Sequence, residues 1–237
     1  MHRLSVNLDH IATLRQLRHT TYPDLLEAAR IAEQAGAEGI TLHLRADRRH
    51  IQLTDVELIR AFNLPLTLEI ACSQANLELC LRLKPHAVTF VPETKEELTT
   101  EGGLNMNAAS VKDFLKSAVL SLKDAGVNCC LFLEPDTQAI EQAHELGIRV
   151  IELHTGTYAD AKGAKIQIEQ ERILHASALG RSLGIQMNAG HGLTVANVTP
   201  FAADSNLVEF SIGHSIVCRA VLVGLAEAVR EMKQAIG

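Results

Sequence analysis

Two glutamates stand inside otherwise apolar runs, Glu69 in Leu66-Thr-Leu-Glu69-Ile70 and Glu152 in Val150-Ile-Glu152-Leu-His154. A carboxyl group in such a setting is partly desolvated, so its pKa rises and it can act as a general base near neutral pH. The plainer reading of each is a buried carboxylate paired with an arginine or histidine. Histidines gather in the same kind of place. Six of the eleven, His10, His43, His50, His154, His191 and His214, fall at or just beyond the end of a run that reads as a strand. A single buried histidine is usually a satisfied core residue, whereas a set converging on one rim suits acid–base chemistry.

Anion binding is the second chemistry on offer. His43-Leu-Arg45-Ala-Asp47-Arg48-Arg49-His50 places three arginines and two histidines within eight residues of a chain whose formal net charge is −6. The planar fork of arginine matches phosphate or carboxylate, so Arg45 or a neighbour is a candidate anion ligand, while Arg48 and Arg49 could equally pair with Asp47. Two further segments, Asn188-Ala-Gly190-His191-Gly192 and Ile212-Gly213-His214-Ser215, put glycine at a strand end just before a helix. Backbone N–H groups and the helix dipole favour an anion there.

Those residues need elements to hold them. Amphipathic helices end repeatedly at a glycine that precedes a short β-branched or leucine-rich run: Gly36, Gly126, Gly147 and Gly184 are clear cases. The near-continuous apolar runs predict strands of a parallel sheet buried on both faces. Further strands fit Leu4–Leu8, Leu66–Ile70, Ala87–Val91 and Leu207–Ile212, and helical periodicity is plainest in 24–35, 110–125, 138–146, 169–183 and 215–235. About eight strands alternating with about eight helices predict an α/β protein, a (β/α)8 TIM barrel forming a single domain over 1–237 with room for extra helices. Active sites of that fold lie at the carboxyl ends of the strands, where Asn7, Asp9, His10, His43, Arg45, Glu69, Glu93, Glu134, Glu152, His154, Asn188, His191, Gly213 and His214 all fall. Two long connections stand out. Residues 9–22 read as a loop, and residues 92–107, with Thr99-Thr100-Glu101-Gly102-Gly103, as a candidate lid.

Composition narrows the classes. With 47% hydrophobic and 21% charged residues the chain is globular rather than disordered or collagen-like. With 3% aromatic residues, no Trp and an acidic balance, it offers little to nucleic acid. Residues 1–8 do not read as a secretory signal and no apolar stretch is long enough for a bilayer, so a cytoplasmic protein without membrane contact is expected. The five cysteines contain no Cys-x-x-Cys pair and read as reduced core thiols. No lysine lies within a predicted strand, which disfavours a lysine Schiff base. After the first strand stands only Asp9-His10 rather than a His-x-His pair, so no metal is indicated.

The motifs together resemble the pyridoxine 5′-phosphate synthase family over nearly the whole chain. They are Val6-Asn7-Leu8-Asp9-His10 through Arg15, His43-Leu-Arg45 through Ile51, Thr99 through Gly103, His154-Thr-Gly156, Asn188 through Leu193, and Ile212-Gly-His214. Small departures stand at Ala46, Ser215 and Cys218. The resemblance implies a cofactor-independent condensation of 1-deoxy-D-xylulose 5-phosphate with 3-amino-2-oxopropyl phosphate, giving pyridoxine 5′-phosphate, phosphate and water. It implies His43 and Glu69 as proton acceptors, His191 as proton donor and Glu152 as a stabiliser of developing charge. It assigns Asn7, Arg18, Gly192, Gly213 and His214 to the aminoketone phosphate, and Asp9, His10, Arg45, His50 and Thr99 to the deoxyxylulose phosphate. It also implies a homo-oligomer, an octamer built as a tetramer of dimers. The alternatives are another phosphosugar isomerase or epimerase barrel, which would leave the cluster around Arg45 and His50 unexplained, and a barrel that binds phosphometabolites without catalysis.

Overall fold

In the computed structural model, which describes residues 1–93 and 102–237, eight parallel strands pair in chain order. They are β1 (Arg3–Asn7), β2 (Gly39–His43), β3 (Leu66–Ala71), β4 (Ala87–Val91), β5 (Asn128–Leu133), β6 (Val150–His154), β7 (Gln186–Gly190) and β8 (Leu207–Ile212), and β8 closes on β1 through Leu4↔Phe210 and Val6↔Ile212. The expected (β/α)8 barrel is therefore the fold.

The helices among the described residues are α1 (Asp9–Gln16), α2 (Leu25–Gln34), α3 (Leu53–Arg60), α4 (Gln74–Leu83), α5 (Ala109–Asp124), α6 (Thr137–Glu145), α7 (Gly156–Asp160), α8 (Ala164–Ser182), α9 (Val195–Ala202), α10 (His214–Val223) and α11 (Leu225–Ile236). The four punctuating glycines all have positive φ, from 73° to 105°, the left-handed geometry that ends a helix.

Three sequence expectations need correction. Residues 9–22 are not all loop: α1 fills the first half, its periodicity hidden because only Asp9, Ile11 and Ala12 are buried. The run 215–235 is not one helix, because Gly224, at φ 86° and ψ 152°, breaks it into α10 and α11. The strands are not apolar on both faces. Outward positions such as Leu66, Leu68, Ile70, Val88 and Phe90 belong to the apolar core, whereas Ser5, Thr41, Thr67, Thr89, Asn188 and Glu209 border a cavity of about 150 Å³ inside the barrel. Ser5 and Thr41 hydroxyls lie 2.7 Å apart, and Ser211 donates to Thr41 at 3.1 Å. Period-two alternation thus gives the barrel a hydrogen-bonded polar interior in place of the usual branched aliphatic layers.

Candidate active site

At the carboxyl ends of the strands a cavity of about 390 Å³ opens. Its wall includes Asn7, Asp9, His10, His43, Glu69, Glu152, His191, Gly192, Gly213 and His214, ten of the fourteen residues to which the family resemblance assigns a role. Register explains part of this convergence, since His43 pairs with Glu69 across β2 and β3, and Glu152 with Asn188 across β6 and β7.

The first wall is organised by Asp9. Its carboxylate accepts the His43 backbone N–H at 2.8 Å and the Asn7 side-chain amide at 3.0 Å, while the Asp9 N–H donates to Asn7 Oδ1 at 2.8 Å. The His43 ring then stands with Nδ1 4.0 Å from Glu69 Oε2 and Nε2 3.5 Å from Glu93 Oε2. Asp9, His43 and Glu69 also form the one group of three candidate metal ligands among the described residues, with ligand atoms within 4.8 Å of one another. Both Asp9 oxygens already accept N–H groups, so a cation there would compete with the bonds that set His43.

Electrostatics separates the groups. Burial pushes the Glu69 carboxyl well above its ordinary range, with the neighbouring Glu152 and Asp9 charges adding to it. Burial likewise raises Glu152 to about 8, with the Glu209 charge as the second cause. With a pKa of about 8 the Glu152 carboxyl holds its proton near neutral pH. Burial lowers His191 to about 4, helped by the charge of His154. His10 is lowered by burial and by His214, whose ring centroid lies 4.8 Å away.

Backbone geometry delivers His191 and its surroundings. His191 has φ 78°, a left-handed conformation that is costly for a residue with a Cβ. The Thr155 hydroxyl donates to the carbonyls of Gly190 at 2.7 Å and His191 at 2.6 Å, and the His154 ring lies 5.1 Å from the His191 ring. Glycine is required at Gly190, where a Cβ would stand 2.1 Å from Glu152 Oε1. Gly213, the N-cap of α10, likewise has no room for a side chain, since a Cβ would meet Asn7 at 2.8 Å.

The rim cluster divides its labour. Arg45 is buried at 2% exposure with Nε 3.7 Å from Asp47. Arg49 pairs with Asp47 at 2.6 Å, and Arg48 donates to the carbonyls of Leu44 and Arg45, folding the loop rather than facing the cavity. His50 sits beside His43, ring centroids 6.1 Å apart, and its Nδ1 accepts the Ile51 N–H at 2.9 Å. Arg18 is exposed on the turn after α1 and does not reach the cavity wall. Thr99, and with it half of the candidate lid, residues 94–101, lies outside the described residues. At the far end of that connection, the Gly103 N–H donates to Glu134 Oε1 at 3.0 Å and the Leu104 N–H to the Phe132 carbonyl at 2.8 Å. Glu93, Glu134 and Thr155 were given no chemical role from the sequence. Glu93 and Glu134 could be placed at strand ends from sequence, but only the fold gives them His43 and His154 as partners.

A parallel barrel with carboxyls and imidazoles on one cavity wall, and no lysine among the described residues lining it, is an acid–base enzyme of the barrel class. The chain belongs to the family of the pyridoxal phosphate biosynthesis protein PdxJ, whose model matches residues 4–237. It is 48% identical over 236 residues to the pyridoxine 5′-phosphate synthase of Syntrophotalea carbinolica, covering 99% of this chain and 98% of the relative. It is 50% identical to that of Coxiella burnetii, covering 98% and 97%. Among solved structures, KGPDC from Streptococcus mutans superposes with a TM-score of 0.63 at 15% identity, covering 100% of this chain and 97% of that one, a likeness of fold alone. The family expected from the motifs is therefore the right one, and the protein is an enzyme of vitamin B6 biosynthesis.

Proposed function

We propose that the chain, acting as a single domain over 1–237, condenses 1-deoxy-D-xylulose 5-phosphate with 3-amino-2-oxopropyl phosphate to pyridoxine 5′-phosphate, phosphate and water, without a cofactor or metal. The observation that carries this reading is the convergence of His43, Glu69, Glu152 and His191 on one cavity of about 390 Å³. The reaction proceeds through imine formation by the substrate's own amine, phosphate elimination, addition of water, ring closure and dehydration. Each step moves a proton, so several acids and bases must face one bound molecule.

In this reading His43 and Glu69 accept protons, with Asp9 fixing the His43 backbone and Glu93 facing its far nitrogen. Glu152, holding a proton near neutral pH, donates a hydrogen bond to developing negative charge. His191 donates protons. Burial holds its imidazole well below the usual histidine range, and bound phosphate dianions bring the negative charge that shifts it toward the protonated form. Asn7, Gly192, Gly213 and His214 take the aminoketone phosphate, beside the amino end of α10. Asp9, His10, Arg45, His50 and Thr99 take the deoxyxylulose phosphate. No helix among the described residues is long and apolar enough to cross a membrane, and a cytoplasmic setting fits the reading. Exposed Leu14 on α1 and Leu17 just after it, with Val221 and Leu222 on the neighbouring α10, support a homo-oligomer, assembled as an octamer in this reading.

The test incubates chelator-treated protein with both substrates and follows pyridoxine 5′-phosphate and free phosphate together. Equal appearance of both supports the reading. Binding of either substrate without product moves it to another phosphosugar barrel enzyme or to a metabolite-binding protein. Glu69→Gln should lower turnover by about 10²-fold while keeping substrate binding. Unchanged turnover removes Glu69 from the mechanism.

A further inference from the structure

We propose that Glu134 and His154 form a positioning dyad that holds the His191 imidazole in its working orientation. The proposal rests on the reading of His191 as the proton donor. His154 Nδ1 lies 2.6 Å from Glu134 Oε1, and the same oxygen accepts the Gly103 N–H at 3.0 Å, so the carboxylate is fixed from two sides. Burial pulls the Glu134 carboxyl upward, yet the His154 bond and the Gly103 N–H outweigh it and keep it below the usual carboxylate range. Phe132 packs against the other side of the His154 ring, centroids 5.3 Å apart. The held ring then stands 5.1 Å from that of His191 at an interplanar angle of 58°.

Neighbouring atoms leave this arrangement little freedom. A Cβ on Gly156 would fall 2.4 Å from His154 Nε2 and 3.0 Å from His191 Cδ2, so the chain passes close against both rings. Thr155, between His154 and Gly156, clamps the carbonyl of His191, whose φ of 78° needs such support. The segment His154-Thr155-Gly156 at the end of β6 is thereby a mould for the His191 side chain just after β7. Neither Glu134 nor His154 is among the residues lining the cavity, so their action passes through His191.

The experiment is a double-mutant cycle on kcat and KM with both phosphorylated substrates. His154→Asn keeps an amide able to donate to Glu134 and removes only the part of the ring that meets His191. Expected is a loss in kcat of about 10- to 100-fold with both KM values within about threefold. In the His191→Asn background the same change should cost less than about twofold, because the residue through which it acts is gone. Glu134→Gln, which keeps an acceptor for the Gly103 N–H, should show the same dependence on His191 and carries the test if His154→Asn does not fold. Losses that multiply across the cycle, a loss confined to KM, or a wild-type kcat in His154→Asn would overturn the dyad while leaving the donor intact. A wild-type kcat in His191→Asn would overturn the donor assignment itself and the dyad with it.

Discussion

Glutamine at position 152 keeps the shape of the side chain and removes its titration. Burial, with Glu209 as second cause, lifts the Glu152 carboxyl to about 8, whereas a glutamate in the unfolded chain titrates near about 4.3. Because the native pKa is raised, the folded protein keeps a proton that the unfolded chain gives up. The stability this confers is complete below about pH 4.3 and is lost as pH rises through about 8. At about 1.4 kcal/mol per pKa unit the loss reaches about 5 kcal/mol above pH 8, and about 2–3 kcal/mol of it falls between pH 5 and 7. Glu152→Gln is free of that loss. Its melting temperature relative to wild type should therefore climb by roughly 5–10 °C from pH 5 to pH 7, at about 2–4 °C per kcal/mol for a chain of this size. The assay is calorimetry of the ligand-free proteins in matched buffers at pH 5, 6, 7 and 8. A difference that stays constant across that range would mean that Glu152 ionises as freely in the barrel as in water, and the argument for a protonated donor would fall.

Gly190→Ala drives a Cβ to within 2.1 Å of Glu152 Oε1 and 2.9 Å of the Ser211 carbonyl, and it should cost about 2 kcal/mol by urea denaturation and at least about tenfold in turnover. Normal turnover would show that Glu152 need not hold its place. Arg15 grips Asp55 with two bonds of 2.7 and 2.6 Å, and both side chains are nearly buried. Arg15→Ala should lower stability by about 3 kcal/mol through the uncompensated carboxylate, and a change below about 1 kcal/mol would dismiss the pair as the tie between α1 and α3. His191 runs opposite in sign to Glu152. Burial and then the His154 charge depress it to about 4, so the stability of its neutral form is present above about pH 6.5 and is lost as pH falls through 4. From pH 7 to 5 the wild type should lose about 2 kcal/mol relative to His191→Asn, and parallel curves would contradict a buried neutral imidazole.

The barrel was legible because its punctuation is local. A glycine at the left-handed end of a helix followed by an apolar run is a pattern a few residues long, and the φ values of Gly126 and Gly147, 73° and 83°, bear it out. The rim was legible for a related reason: chain direction alone puts Asp9, His43, His154 and His191 at the carboxyl ends of their strands. α1 was missed because a helix of 8 residues with only three buried side chains carries almost no periodic signal. The division of the rim arginines was hidden as well, since whether Arg48 faces a ligand or its own backbone depends on its φ of 53°, which its neighbours in sequence do not specify.

The polar interior shows why some of the chemistry lies beyond sequence patterning. Serines, threonines and Cys130 along the strands look like ordinary breaks in apolar runs, yet each falls on an inward position of its strand. Once the sheet closes, those positions meet around Glu152, which borders both the cavity of about 390 Å³ at the carboxyl ends and that of about 150 Å³ below it. A carboxyl in that place is kept from bulk water, which raises its pKa. Glu209 adds to the shift from the lower end, where Arg3 stands 3.3 Å from it. The proton held by Glu152 is thus set by strands β6 and β8, with Arg3 of β1 beside Glu209, residues more than fifty positions apart in the chain. Only closure of the barrel brings those determinants into contact, and that is why the sequence shows a glutamate in an apolar run but not the pH at which it titrates.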